Sequence, residues 1–111
     1  MKVIDIENIK IVGKNRKYIG RSRKLTDEYI TFKETLTWFC HKKIIKPPYQ
    51  VSIYFKCYHD IDAPVQAVLD AMNKVVIDDD RNILELHIHK DKIKRGTNGS
   101  IKVFVSTYNG I

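Results

Sequence analysis

Two different periodicities follow each other directly between residues 51 and 73, and together they limit the folds that the chain can adopt. Residues 51–58 (VSIYFKCY) alternate between apolar and more polar side chains, the pattern of a β-strand with one buried face. Residues 63–73 then place apolar side chains at steps of three and four, the period of an amphipathic helix. These side chains are Val65, Val68, Leu69 and Met72. The sequence therefore predicts a strand followed by a helix that packs on the sheet.

The rest of the chain shows the same two patterns and predicts one α/β (α+β) domain. A helix with Thr26 as its N-cap is expected to bury four apolar side chains on one face: Tyr29, Phe32, Leu36 and Phe39. Alternating residues predict strands near the N-terminus, over 84–88 and over 101–105. A chain of 111 residues is long enough for one core. We therefore predict a single domain over residues 1–111, with a mixed β-sheet and two main helices.

Asp62 and Pro64 mark the beginning of the second predicted helix. Pro64 suits a first turn, where its missing N–H has no cost, and this places Asp62 at the N-cap. Gln66 and Asp70 follow Asp62 at steps of four residues, so we expect all three side chains on one polar stripe of the helix.

The charge of the chain favours a polyanionic partner. The sequence has 20 Lys and Arg residues against 13 Asp and Glu, which gives a formal net charge of +7. Residues 14–24 (KNRKYIGRSRK), the basic arm, contain cations and no acid: Lys14, Arg16, Lys17, Arg21, Arg23 and Lys24. We expect the basic arm to contact phosphates, with binding that falls steeply as salt rises. The alternative is a solvated surface loop.

Several classes of protein are disfavoured by the sequence. No apolar run approaches the ~18 residues that a membrane helix needs, and the acids near the N-terminus are not typical of a signal peptide. Cys40 and Cys57 lie within periodic segments and are expected to be reduced core residues. No Gly-rich phosphate loop and no cofactor fingerprint is recognisable. We expect a cytoplasmic protein without a small-molecule cofactor.

Aspartates are concentrated between residues 59 and 83. They are Asp60, Asp62, Asp78, Asp79 and Asp80. Asp60 ends a predicted strand, Asp62 opens a helix and Asp80 precedes the next strand. If the two strands are neighbours, we expect these three side chains to reach one edge of the sheet. Close carboxylates repel one another unless a cation lies between them, and such ligands suit Mg²⁺ or Mn²⁺. Alternatively, each acid is an ordinary cap or turn residue.

A divalent cation held by carboxylates within a basic surface predicts phosphodiester hydrolysis. The cation would neutralise charge on the phosphorane-like transition state and lower the pKa of a bound water molecule. The basic side chains would hold the flanking phosphates.

The same residues resemble the RusA family of Holliday-junction resolvases. The family pattern is D-x-D-N-x-x-K, a helix ending near D-A-L-N-G, then D-D and a strand that ends in Lys. The corresponding segments here are DID at 60–62, DAMNK at 70–74, DD at 79–80 and Lys90. Upstream, NRKY at 15–18 resembles the Asn-Arg-x-Tyr element of the family. The resemblance covers nearly the whole chain, and the motifs in register are more specific than DxD alone.

This resemblance implies a RusA-like fold and a homodimeric, Mg²⁺-dependent endonuclease, with Mn²⁺ as a substitute ion. Such an enzyme cuts two strands of a four-way DNA junction during recombination or repair, and two symmetric cuts fit the two active sites of a twofold dimer. Asp60, Asp62 and Asp80 would take the catalytic, metal-binding positions. A bacterial or phage origin is expected. The residues expected to contact DNA are Lys14, Asn15, Arg16, Lys17, Arg21, Arg23, Lys24, Lys74 and Lys90.

Two departures from the family pattern affect the predicted active site. Ala63 stands where the family has Asn, and Gln66 stands where it has a catalytic lysine. Glutamine can donate hydrogen bonds but has no charge, and loss of a charge from such a site costs about 10²–10³-fold in rate. Lys56 is the first candidate for a replacement cation, because the strand pleat would place it on the same face as the first aspartate. Lys74 and Lys90 are the other candidates.

Other functions remain open at this point. In one alternative, the protein binds branched DNA and cuts it weakly or not at all. In another, it is a basic α/β module that binds RNA or a different partner, and its acids are structural. His87 and His89 share a strand face, but no third ligand follows at a spacing typical of zinc sites. Trp38 either widens the apolar face of the first helix or marks the dimer surface.

Overall fold

One mixed sheet organises the computed structural model, which describes residues 1–13, 19 and 24–109. In chain order the elements are β1 (Lys2–Ile9), α1 (Asp27–Phe39), β2 (Tyr49–Cys57), α2 (Asp62–Met72), β3 (Ile83–Lys92) and β4 (Gly99–Thr107). The strands are arranged in the order β1-β4-β2-β3 across the sheet. The predicted small α+β domain, with a mixed sheet and two main helices, is therefore confirmed.

Strand β2 lies between a parallel and an antiparallel neighbour. It pairs with β4 in the antiparallel direction and with β3 in the parallel direction, so that Ile53 lies opposite Val103 on one side and Ile88 on the other. Parallel neighbours need a crossover connection, and α2 supplies it. Strand β3 is thereby left at one edge of the sheet. Among the described residues, no strand pairs with its outer side.

The alternation that predicted β2 corresponds to one buried and one more exposed face. The apolar residues are at most 2% exposed: Val51, Ile53, Phe55 and Cys57. Tyr54 and Lys56, between them, are exposed on the open face of the sheet. Helices α1 and α2 pack against each other, and Nζ of Lys33 in α1 lies 3.4 Å from Oδ2 of Asp70 in α2.

Helix α1 begins as predicted but buries less of its last turn. The backbone N–H of Tyr29 donates to Oγ1 of Thr26 at 3.2 Å, which confirms the N-cap. Tyr29, Phe32 and Leu36 are buried, whereas Phe39 is 51% exposed. The prediction that Phe39 is buried was wrong because the helix ends at this residue. Trp38 is 80% exposed, so it does not widen the core-facing stripe.

Helix α2 begins one residue earlier than the sequence predicts. Its N-cap is Ile61, without a side-chain capping bond, and the N–H of Val65 donates to the carbonyl of Ile61 at 2.8 Å. Asp62 therefore lies in the first turn, and its predicted N-cap role is wrong. Pro64 also fits within this turn, because the N–H groups of a first turn have no partner inside the helix. Val68 and Met72 are fully buried, as the apolar stripe predicts.

Both cysteines are buried free thiols, as expected. Burial raises the pKa of the Cys40 thiol to about 11, so it is protonated at neutral pH. In the described part of the chain, neither helix combines the length and the apolar character needed to cross a bilayer.

Candidate metal and nucleic-acid site

Asp60 lies at the mouth of a cavity of about 640 Å³ at the carboxyl end of β2. Among the described residues, its walls are formed by residues 57–60 at the end of β2, residues 10–13 after β1, residues 95–99 leading into β4, and Glu28 of α1. Asp60 is exposed. A carboxylate at this position can reach a ligand that enters from solvent.

Gly13, the residue that precedes the basic arm, lines this cavity. A Cβ atom on Gly13 would lie 3.0 Å from Cβ of His59, so the arm departs in contact with the residue next to Asp60. The arm ends at the exposed Lys24, shortly before α1, and Glu28 in the first turn of α1 lines the cavity. The remaining predicted contacts of the arm lie outside the described residues: Lys14, Asn15, Arg16, Lys17, Arg21 and Arg23.

Positive side chains also surround the carboxyl end of β2. Lys10 and Arg95 line the cavity, and Nζ of Lys10 lies 3.6 Å from Oε2 of Glu28. Burial raises the pKa of the Cys57 thiol, and the charge of Lys90 partly opposes this shift. Lys90 is therefore close to the end of β2, as its position opposite Phe55 also indicates.

Asp62 and Gln66 occupy the first two turns of α2 with exposed side chains. Nε2 of Gln66 donates to Oδ1 of Asp70 at 2.9 Å, which confirms that these two residues share a polar stripe. The amide of Gln66 is thus engaged with the following turn of the helix. It does not supply the charge that a lysine would bring to this position.

Asp80 lies at the other end of the sheet from Asp60. Strands β2 and β3 are neighbours but run parallel, with Tyr49 opposite Ile83 at one end and Cys57 opposite Lys92 at the other. Asp60 follows the carboxyl end of β2, whereas Asp80 begins a short 3-10 helix (Asp80–Asn82) just before the amino end of β3. The two ends are roughly 26 Å apart along the strands. The prediction that Asp60, Asp62 and Asp80 share one edge is therefore wrong within one chain.

The two acids before Asp80 are turn and cap residues. Oδ1 of Asp78 accepts a hydrogen bond from Nδ2 of Asn82 at 3.0 Å. Oδ1 of Asp79 accepts from the backbone N–H of Arg81 at 3.0 Å. These bonds are the main reason why the pKa of each carboxyl is lowered, and the nearby Lys74 contributes to both shifts. The ordinary structural interpretation fits these two acids.

Lys56 does not lie in the same cavity as Asp60. It lines a separate groove on the open sheet face, together with Tyr54 and Lys102. The expectation that the pleat continues to Asp60 fails because β2 ends at Cys57. Lys74 lies at the Asp80 end, so of the predicted replacement cations only Lys90 is placed near Asp60.

The two strand histidines have different partners on the open face of the sheet. The ring of His89 stacks on Tyr54 with centroids 4.7 Å apart, and Phe104 meets Tyr54 edge-on with centroids 5.7 Å apart. His87 contacts Glu85 on its own strand. Within residues 1–13, 19 and 24–109, no three His, Cys, Asp or Glu side chains lie close enough to hold a metal ion.

Sequence reasoning missed Arg95 and Lys10 as site residues. Both belong to connecting segments, which have no periodicity that could place them. Arg95 reaches the cavity because the β3–β4 connection must pass the end of β2, which lies between these two strands, and Lys10 reaches it from the segment that follows β1. Comparison with models of protein families and with curated protein sequences finds no match to this chain.

Proposed function

We propose that this protein is a metal-dependent DNA endonuclease that acts on four-way junctions as a homodimer, in the manner that its resemblance to the RusA family implies. The observation that favours it most is that Asp60 lines a cavity together with Arg95 and with Gly13, the residue that precedes the basic arm. Carboxylates suited to a cation and side chains suited to phosphates are thereby combined at one end of the molecule.

Asp60 and Asp62 are the residues that would hold a divalent cation. Both are exposed, and they follow one another across the junction between β2 and α2. Mg²⁺ is often bound by only one or two carboxylates together with substrate phosphates, so a third ligand from the same chain is not required. When bound, the cation would neutralise phosphate charge and acidify a water molecule. Lys90 and Arg95 would hold phosphates close to these carboxylates.

A dimer through the edge of β3 would bring Asp80 to this site. The outer edge of β3 has ten residues, and Leu84 and Leu86 along it are 61% and 40% exposed. Two such edges related by a twofold axis run antiparallel. The amino end of β3 in one subunit would then meet the carboxyl end of β3 in the other. Asp80 of the partner subunit would approach Asp62 and Lys90.

Cleavage of a synthetic four-way junction in Mg²⁺ or Mn²⁺ tests this proposal. Asp62→Asn is expected to lower the rate about 10²-fold or more, because it removes a charge that the cation needs. Asp70→Asn is the matched control, since Asp70 lies two turns further along the same helix face and outside the site. Equal rates for Asp62→Asn and the wild type would contradict the assigned role of Asp62.

A junction-binding protein without strong nuclease activity is the second candidate function. It is favoured by the engagement of Gln66 with Asp70, which leaves the position of the family's lysine without a positive charge. Salt-dependent binding of the junction without cleavage in either metal would select this function over the nuclease. If the junction is neither bound nor cut, both functions are wrong. The acids are then structural, and the protein has a different partner.

A further inference from the structure

The connection between β3 and β4 is a fixed wall of the cavity that contains Asp60. The N–H of Ile93 donates to the carbonyl of Cys57 at 3.3 Å, and the N–H of Thr97 donates to the carbonyl of Lys94 at 3.2 Å. Nδ2 of Asn98 donates to Oδ1 of Asn8 at 3.1 Å. The bonds from Ile93 and Asn98 attach the connection to strands β2 and β1, and the bond from Thr97 closes a turn within it, so the groups that it presents to the cavity are held in place.

Arg95 is the cation that this wall offers to a ligand. It is exposed, it lines the cavity, and it forms no ion pair with any residue that the structure describes. Lys10, the other cation of the described lining, is already paired with Glu28 at 3.6 Å. Gly96 follows Arg95 in the cavity wall and adds no side chain that would fill the space beside it.

We propose that this cavity binds a phosphate group of the nucleic-acid backbone and that Arg95 is its main cationic contact. A guanidinium group matches a phosphate with two parallel hydrogen bonds, which a lysine cannot reproduce. The inference rests on the proposed function for the source of the phosphate, a DNA strand next to Asp60. Arg95 would then supply the positive charge that the family's lysine would bring and that Gln66 lacks.

Asp60 should oppose this phosphate as long as no cation is bound. Both groups are anionic and would occupy the same cavity, so their repulsion weakens binding unless the carboxylate is neutralised. Asp60→Asn is therefore expected to tighten phosphate binding several-fold in EDTA. Asp62 does not line the described cavity, and Asp62→Asn is expected to change this affinity less.

Titration with inorganic phosphate, followed by the backbone amide signals of Gly96, Thr97 and Gly99, tests the cavity without any nuclease reaction. These signals are expected to shift in the wild type, to shift less in Arg95→Lys, and not to respond in Arg95→Ala. Lys43→Ala is the control for loss of one positive charge, since Lys43 is exposed in the connection before β2, outside the cavity. Unchanged phosphate shifts in Arg95→Ala, or absent shifts in the wild type, would overturn the proposal.

A second measurement identifies DNA as the source of the phosphate. In EDTA, Arg95→Ala should reduce the salt dependence of junction binding by about 0.9 in the slope of log K against log salt, one phosphate contact. If inorganic phosphate binds through Arg95 but the junction is neither bound nor cut, the phosphate site in the cavity is confirmed and the nuclease proposal fails. If the junction is cut and Arg95→Ala leaves the phosphate shifts and the salt slope unchanged, the nuclease proposal stands and the cavity proposal fails.

Discussion

Asp78 and Asp80 are separated by one residue but have different surroundings. Asp78 accepts a hydrogen bond from Asn82 and its backbone N–H donates to the hydroxyl of the buried Tyr49 at 2.9 Å, while the side chain of Asp80 is exposed. The bond from Asn82 is the largest of the effects that lower the pKa of Asp78. Of these two acids, we therefore assign Asp78 to the stability of the fold and Asp80 to the proposed function.

Asp78→Asn is expected to lower the melting temperature at neutral pH, because the carboxylate that accepts from Asn82 is lost. The folded pKa of Asp78 is below its unfolded value of about 3.9, so the carboxylate contributes its full stabilisation above that pH. The contribution disappears as the pH falls through the lowered pKa. Thermal melting between pH 7 and pH 3 should therefore show a gap between wild type and Asp78→Asn that narrows in acid.

Asp80→Asn serves as the control for this comparison. Substitution of its exposed side chain should leave the melting temperature at neutral pH unchanged, since surface positions of this kind seldom affect stability. A gap that widens in acid, or a larger loss for Asp80→Asn than for Asp78→Asn, would contradict the division of roles.

Individual site residues were predictable from sequence where their position depends on local spacing alone. Gln66 and Asp70 share a helix face because they are one turn apart, and Thr26 caps α1 because of its place before the first turn. The relation of Lys56 to Asp60 required a strand to continue beyond Cys57, and alternation does not reveal where a strand stops. Arg95 required knowledge of which strands the chain connects across β2.

Strand β4 begins at a point where only glycine fits. A Cβ atom on Gly99 would lie 1.7 Å from the carbonyl oxygen of Lys56 in β2, a contact with backbone that cannot move aside easily. Gly99→Ala is therefore expected to separate the start of β4 from β2 and to destabilise the fold by about 3 kcal/mol or more. Urea denaturation measures this loss.

Gly96→Ala is the matched control for Gly99→Ala. Gly96 has a φ of +81°, but nothing lies within 4 Å of its Cβ position, so the substitution should cost only about 1 kcal/mol of backbone strain. An equal cost for both substitutions would show that the close approach of Gly99 to β2 is wrong.

The direction of β3 relative to β2 could not be predicted from the sequence. Periodicity identified β2, α2 and β3 correctly, and a strand–helix–strand order permits a parallel pair. It does not exclude an antiparallel pair, in which the end of β2 and the start of β3 meet at one edge, as the three-aspartate prediction required. The alternation of Leu84 and Leu86 with polar residues predicted a strand but not its place in the sheet, and at the edge these side chains are 61% and 40% exposed.

Two features of the whole molecule bear on the proposed homodimer. Asp60 and Asp80 lie at opposite ends of the paired strands β2 and β3. The outer edge of β3 has no neighbouring strand within the described residues, and two leucines of this strand are exposed. An exposed edge of this length favours pairing with another strand. Antiparallel pairing of two β3 edges would use the exposed leucines and would place the acids of one subunit beside those of the other. In the proposed nuclease, the separation of Asp80 from Asp60 within one chain would make dimerisation necessary for a site with all three aspartates.

Mixing two inactive variants distinguishes a site shared between subunits from a site within one chain. If Asp60 and Asp80 act in different subunits, a heterodimer of Asp60→Asn and Asp80→Asn has one site with both substitutions and one site with neither. Random exchange of subunits should then restore about one quarter of the wild-type sites, and each restored site should nick one strand of the junction instead of making paired cuts. If both residues act within one chain, every site keeps one substitution, so the mixture should be as inactive as either variant alone. Recovery of nicking in the mixture, measured against each variant at the same total concentration, therefore decides whether dimerisation completes the active site.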